Sequence, residues 1–117
     1  MSDIEIKIPI SMPSLNKLLK WHWSKKSKKR KFYQLLIRNE MNRIGYKKVK
    51  KNEFCSLEIT TSVKRKYDYD NLVGGMKPLL DALRKEGFIY DDNPDNILVK
   101  YYQKTEKKPY TLIKRLF

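Results

Sequence analysis

"FCSLEITTSVKRKYDYDNLVGGMKPLLDALRKEG", residues 54–87, changes its hydrophobic period part-way along and so decides the class of fold. Its opening, Phe54 to Val63, is rich in β-formers and reads as a strand. "KRKYDYDN" continues or ends that strand. Beyond it Leu72, Met76, Leu79, Leu80 and Leu83 recur at helical spacing, and Gly87 offers a stop. Pro78 is awkward inside a helix. Either a regular helix starts near it, with the proline in the first turn, or an earlier turn is interrupted at Gly74 and Gly75.

Working outward, "IEIKIPI" (Ile4 to Ile10) alternates with period two, and Pro9 places this strand at a sheet edge or near its own end. A turn-rich entry, "SMPSLNKLLKWHW", leads to a helix expected from about Ser27 to Ile44. Its apolar residues Tyr33, Leu36, Ile37, Met41 and Ile44 share a face, and Gly45 ends it. "DDNPDN" is a turn by composition, and "ILVKYYQK" and "YTLIKRLF" read as two closing strands joined through "TEKKP". The expected architecture is α+β: one domain over residues 1–117, with a small, mostly antiparallel sheet and two main helices packed on it.

The chain has 117 residues, 40% of them apolar, and a formal net charge of +14, so it is a basic globular protein rather than a disordered one. Cys55 is the sole cysteine, which excludes an internal disulfide and suits a reducing cytoplasm. No apolar run approaches the ~18 residues of a membrane span, and the amino terminus lacks the apolar core of a secretory signal. No membrane partner is expected.

The charge is unevenly spread. Residues 1–67 carry +13, residues 68–95 carry −4 and residues 96–117 carry +5. A basic surface favours a polyanion, yet aspartates repel phosphate unless a cation lies between them. On an extended segment Asp68 and Asp70 would point to one face, their α-carbons roughly 6.5 Å apart. Asp91 and Asp92 follow the next helix, and Lys77 lies in the same unit, where an ammonium can stabilise charge developing on phosphate. Helix-cap and turn chemistry would also explain these acids, and spacing alone leaves both readings open.

The run "DYDNLVGGMKPLLDALRKEGFIYDD" (Asp68 to Asp92) resembles the RusA family of Holliday junction resolvases. The matching pieces are Asp68, Asp70 and Asn71; Lys77; Asp81, Ala82 and Leu83; Gly87; and Asp91 with Asp92. "PSLNKLL" resembles the family's early segment, so the resemblance spans most of the chain while being specific over residues 68–92. It implies a RusA-like fold and a homodimer that nicks four-way DNA junctions symmetrically. It also implies Mg2+ as cofactor, with Mn2+ able to substitute, and a phage or prophage origin. Asp68, Asp70 and Asp92 would be catalytic metal ligands, Asp91 a helper or alternative ligand, Lys77 the catalytic lysine, and Asn16 a residue orienting substrate or backbone. Two departures stand out. Lys77 comes six residues after Asn71 where the family's lysine usually comes three after, with Gly74 and Gly75 in the added stretch as a possible bulge. Tyr67 stands where an arginine often precedes the first aspartate, and Lys64, Arg65 or Lys66 would supply that charge.

"KKSKKRK" contributes Lys25, Lys26, Lys28, Lys29, Arg30 and Lys31, which together with Lys64, Arg65 and Lys66 are the expected DNA contacts. Trp21 and Trp23 are expected to pack against the sheet rather than stack on bases. Asp81, at i+4 from Lys77, is expected as its structural partner, and Cys55 as a small buried residue. The function expected is Mg2+-dependent, structure-selective cleavage of branched DNA. Its rivals are a non-catalytic basic DNA-binding protein and a metal-dependent nuclease with another branched or single-stranded substrate.

Overall fold

A computed structural model describes residues 4–46 and 48–116. The elements run β1 (Ile4–Ile8), α1 (Leu15–Leu19), α2 (Trp23–Ile44), β2 (Cys55–Val63), α3 (Tyr69–Gly75), α4 (Lys77–Lys85), β3 (Ile97–Thr105) and β4 (Thr111–Leu116). The α+β class holds, with local differences that have local causes. Ser14 caps α1, a short helix inside the expected turn region, by accepting the Lys17 N–H at 3.2 Å. His22 caps α2 a turn earlier than expected, its Nδ1 accepting the Ser24 N–H. Gly45 ends α2 in the left-handed region at φ 68°, where a residue without Cβ is favoured. Both readings of Pro78 are realised: α3 ends at Gly75, and α4 starts at once with the proline in its first turn. Among the described residues there are thus four helices, of which α2 and α4 are the two longest and α1 and α3 are short additions to the expected pair.

The four strands are ordered β1-β4-β2-β3. β4 is antiparallel to both β1 and β2, whereas β2 and β3 are parallel over all nine residues of β2, Cys55↔Ile97 to Val63↔Thr105. The sheet is mixed, which corrects the mostly antiparallel expectation. Parallel neighbours need a long crossover, and α3 with α4 is that crossover. β3 and β4 are joined through "TEKKP" as expected but do not pair with each other, because β2 lies between them. Phe117, included in the last expected strand, lies outside the described residues. β1 is an edge strand that stops just before Pro9, as its sequence indicates.

One face of the sheet carries the core. Ile6, Ile8, Leu57, Ile59 and Ile113 meet Tyr33, Ile37 and Met41 of α2 and Leu79, Ala82 and Leu83 of α4, all buried. Around this contact Arg38 grips Glu86 through two hydrogen bonds of 2.8 and 3.1 Å, and Gln34 donates to the same carboxylate at 3.1 Å. These bonds, that of Arg38 foremost, hold the Glu86 carboxyl below its usual range. Arg115, buried on the covered face of β4, pairs with Glu53 and with the Tyr46 hydroxyl, its guanidinium 5.5 Å from the Tyr46 ring centroid. On the other face, Glu5, Lys114, Glu58 and Lys100 lie in register across four strands with alternating sign, the favourable cross-strand arrangement. Among the described residues no helix is long and apolar enough to cross a membrane.

The glycines of α3 set how closely it approaches α1. A Cβ on Gly75 would lie 1.9 Å from the Pro13 carbonyl oxygen, and one on Gly74 would lie 2.8 Å from the Leu15 side chain. Gly75→Ala should therefore cost about 3 kcal/mol by forcing backbone apart. Gly45→Ala, which meets nothing within 4 Å, should cost only the ~1 kcal/mol of its left-handed backbone. Urea denaturation of both variants checks the order.

Cys55 is buried, and burial, aided by the charge of Glu53, pushes its thiol up to about 11; burial pushes Tyr33 up to about 12. In the unfolded chain these groups titrate near ~8.5 and ~10, so the fold retains protons that the unfolded chain releases. From neutral pH to ~8 these two groups leave stability level, and it should fall as the pH rises from there towards ~12, as denaturant midpoints measured from pH ~7 upward will show.

Candidate functional site

A basic groove forms where the loop after β1 is pinned to the end of β2. The Met12 N–H donates to Thr61 Oγ1 at 2.8 Å, the Ser11 and Ser62 hydroxyls lie 2.7 Å apart, and Thr111 Oγ1 donates to the Ile10 carbonyl at 2.8 Å. The resulting groove encloses about 560 Å³. Buried Met12 and Tyr33 contribute to it, with Lys17, Trp21 and Lys29 from the α1–α2 segment and Lys64, Arg65 and Tyr67 from the chain leaving β2. Among the described residues no acidic one lines it. Lys25 and Lys29, one helical turn apart, place their ammoniums 4.8 and 5.8 Å from the Trp21 ring centroid.

The acidic run starts where the groove ends. Gln103 of β3 clamps the backbone of Tyr67: its Oε1 accepts the Tyr67 N–H and its Nε2 donates to the Tyr67 carbonyl, both at 2.8 Å. The Tyr67 hydroxyl donates to the Met12 carbonyl at 3.3 Å. Asp68, the next residue, occupies the N-cap position of α3 with extended backbone, yet its carboxylate makes no capping hydrogen bond. Asp70 lies in the first helical turn, and both acids are exposed. The extended geometry expected for this pair is therefore replaced by a helix start, because β2 ends at Val63 and the chain bends before Tyr67. On a helix, residues two apart do not face one another.

Asp91 serves its own turn. Its Oδ1 accepts the Asp92 N–H at 2.7 Å and its Oδ2 accepts from Asn93 Nδ2 at 3.0 Å. These bonds, the backbone one first, hold its carboxyl below the usual range. Tyr101 of β3 is half-buried on the covered face of that strand. Its phenol is pushed up first by burial, then by Tyr69 of α3 and by Asp92, so both lie within electrostatic reach of one ring. Among the described residues, however, no three of the acids come close enough to one another to hold an ion.

The remaining expected site residues are dispersed. Lys77 is exposed at the first residue of α4, on the order of 10 Å along the helical segment from Asp70, and makes no ion pair with a described residue. Gly74 and Gly75 form the last turn of α3 rather than a bulge. Asp81 lies 4.0 Å from Arg30 of α2, so its ionic partner is Arg30 and not Lys77. Asn16 is exposed on α1. Of the basic cluster, Lys25 and Lys29 flank Trp21 and Arg30 turns towards α4, whereas Lys28 and Lys31 are exposed and Lys26 is half-exposed. Lys64, Arg65 and Lys66 are exposed at the end of β2. The expectation that the tryptophans pack on the sheet fails: Trp21 lines the groove and Trp23 is 73% exposed, since α2 begins at Trp23 and turns it outward.

No protein-family model matches the chain, and no curated protein matches it. The sequence does not single out Gln103, the residue that holds the start of the acidic run to the sheet. The signal for Gln103 is its position. It shares the covered face of β3 with Ile97, Val99 and Tyr101, where a polar side chain needs a specific partner. Gln103→Ala should lower stability by about 1–2 kcal/mol. It should also raise the hydrogen-exchange rate of the Tyr67 amide more than that of any amide in α2, which amide-resolved exchange will measure.

Proposed function

We propose that this chain is a Mg2+-dependent endonuclease of branched DNA, with the four-way junction as substrate and a homodimer as the working unit. The observation that carries the reading is a groove lined, among the described residues, by cations and no acids, which ends directly at Asp68, an exposed carboxylate that makes no capping hydrogen bond, with Asp70 in the next turn. A polyanion site alone has no use for carboxylates at its mouth. The uncapped carboxylate of Asp68 is available for another task, which favours ligand chemistry over helix capping at that residue.

Asp68, Asp70 and Asp92, with Asp91 beside them, would hold the ion only once the cation and DNA draw together carboxylates that do not converge in this structure. Their carboxylate oxygens are the donors that Mg2+ prefers, and Mn2+ shares that preference. When bound, the cation supplies Lewis-acid activation of water and neutralises charge at the scissile phosphate. The chain's own part is to hold the DNA. Lys64, Arg65 and Lys66 sit next to the acidic run and bind phosphates on its approach, Lys25 and Lys29 extend the contact along α2, and Gln103 fixes the backbone from which Asp68 projects. Hydrolysis adds water across the phosphodiester and leaves a 5′ phosphate and a 3′ hydroxyl. A two-fold dimer matches a substrate cut symmetrically in two strands. Lys77, as the residue matching the family's lysine, belongs to this proposal as a charge that reaches the phosphate once DNA is in place.

A second reading has its own observation: because no three described acids converge, the chain would be a DNA-binding protein without catalysis. Cleavage of a mobile four-way junction and of a linear duplex, each in Mg2+ and in EDTA, separates the two. The nuclease reading expects paired nicks in the junction that need the cation. It also expects Asp70→Asn to lose activity on the order of 100-fold or more while binding DNA at least as tightly. Binding without cutting under Mg2+ and Mn2+ alike would leave the second reading in place.

A further inference from the structure

We propose that the groove between the α1–α2 segment and the end of β2 seats unpaired nucleotides, with Trp21 as the stacking platform and Lys29, Lys64 and Arg65 as the phosphate contacts. This deepens the reading of the chain as a DNA-processing protein by naming the form of DNA the groove takes. The argument rests on size, charge and the setting of one ring.

A volume of about 560 Å³ falls in the range of sites for small ligands and is far too small for a duplex, which has to lie across a surface. The groove's lining combines cations with Trp21, Tyr33 and Tyr67 and, among the described residues, contains no carboxylate. Cations that track a backbone beside rings that stack on bases are the two parts of single-strand recognition. Trp21 is half-buried, and the groups over its ring are the flexible ammoniums of Lys25 and Lys29. A base can displace them without moving backbone, and each displaced ammonium stays within reach of the phosphate attached to that base. Tyr67, on the rim, is the residue immediately before Asp68, so a strand lying in the groove leads directly to the acidic run.

The test uses the full chain with Trp23→Phe, which leaves Trp21 as the lone tryptophan. Its emission is titrated with a short oligothymidylate and with a duplex of equal length, in EDTA so that no cleavage intervenes. The proposal expects strong quenching by the single strand and little by the duplex. Trp21→Ala should weaken oligothymidylate binding about 10-fold or more and leave duplex binding within about twofold, while Trp21→Phe keeps most of the affinity. Arg65→Ala should weaken both ligands and reduce the salt dependence of binding. Unchanged Trp21 emission at saturating single strand overturns the proposal, and so does an equal loss for both ligands in Trp21→Ala. The emission titration decides the matter even if Trp21→Ala folds poorly. A protein that binds the strand through Trp21 but never cuts a junction refutes only the nuclease reading; junction cleavage with a silent Trp21 refutes only this one.

Discussion

The parallel pairing of β2 with β3 is the constraint on which the rest of the molecule depends. Two parallel neighbours cannot be joined by a tight turn, so the chain must leave the end of β2, travel over the sheet and re-enter at the start of β3. Seven of the thirteen acidic residues lie on that excursion, among them Asp68 and Asp70 at its beginning, Asp81 within it, and Asp91 and Asp92 at its return. Because β3 then runs beside β2, Tyr101 and Gln103 come back to the place where the excursion began. That is why a β3 residue, Gln103, holds the backbone from which the first acidic segment departs.

Close approach of backbone couples this excursion to the basic groove. Gly75 lets α3 sit against the Pro13 carbonyl, and Gly74 lets it meet Leu15, so the helix bearing the acids is seated on the segment that supplies Lys17 and Trp21. The separation of charge seen along the sequence becomes a boundary in space: cations and aromatic rings up to Tyr67, carboxylates from Asp68 onward. Local fields of opposite sign so near one another gain from a bridging ligand that carries both phosphate and a bound cation.

Much of this could be read from residue order and some could not. The core face of α2, the stop at Gly45, the edge position of β1 and the burial of Cys55 follow from periodicity and from the chemistry of single residues, and all are as expected. Strand partners are a different matter. Period-two alternation shows that a segment is a strand, but not which neighbour it pairs with or in which direction, and so the mixed sheet went unread. The tryptophans were misplaced because apolar content suggests burial, whereas the cap at His22 fixes where α2 starts and hence which way Trp23 points. The pair Asp68 and Asp70 was read as extended because a preceding strand was carried on too far. Asp at an N-cap and Asp in a first turn are equally good helix-start chemistry.

The position of β4 has a consequence for how the chain folds. It is the last element in sequence but an interior strand of the sheet, holding β1 on one side and β2 on the other. During synthesis β1, the helices and the β2–β3 pair emerge first, yet the sheet stays in two pieces until residues 111–116 are available to join them. Its most separated pairing, Ile4 with Arg115, closes nearly the whole length of the chain. Folding rate therefore depends on long-range closure more than on helix formation, and the helix-rich nascent chain waits with an incomplete core for its final strand.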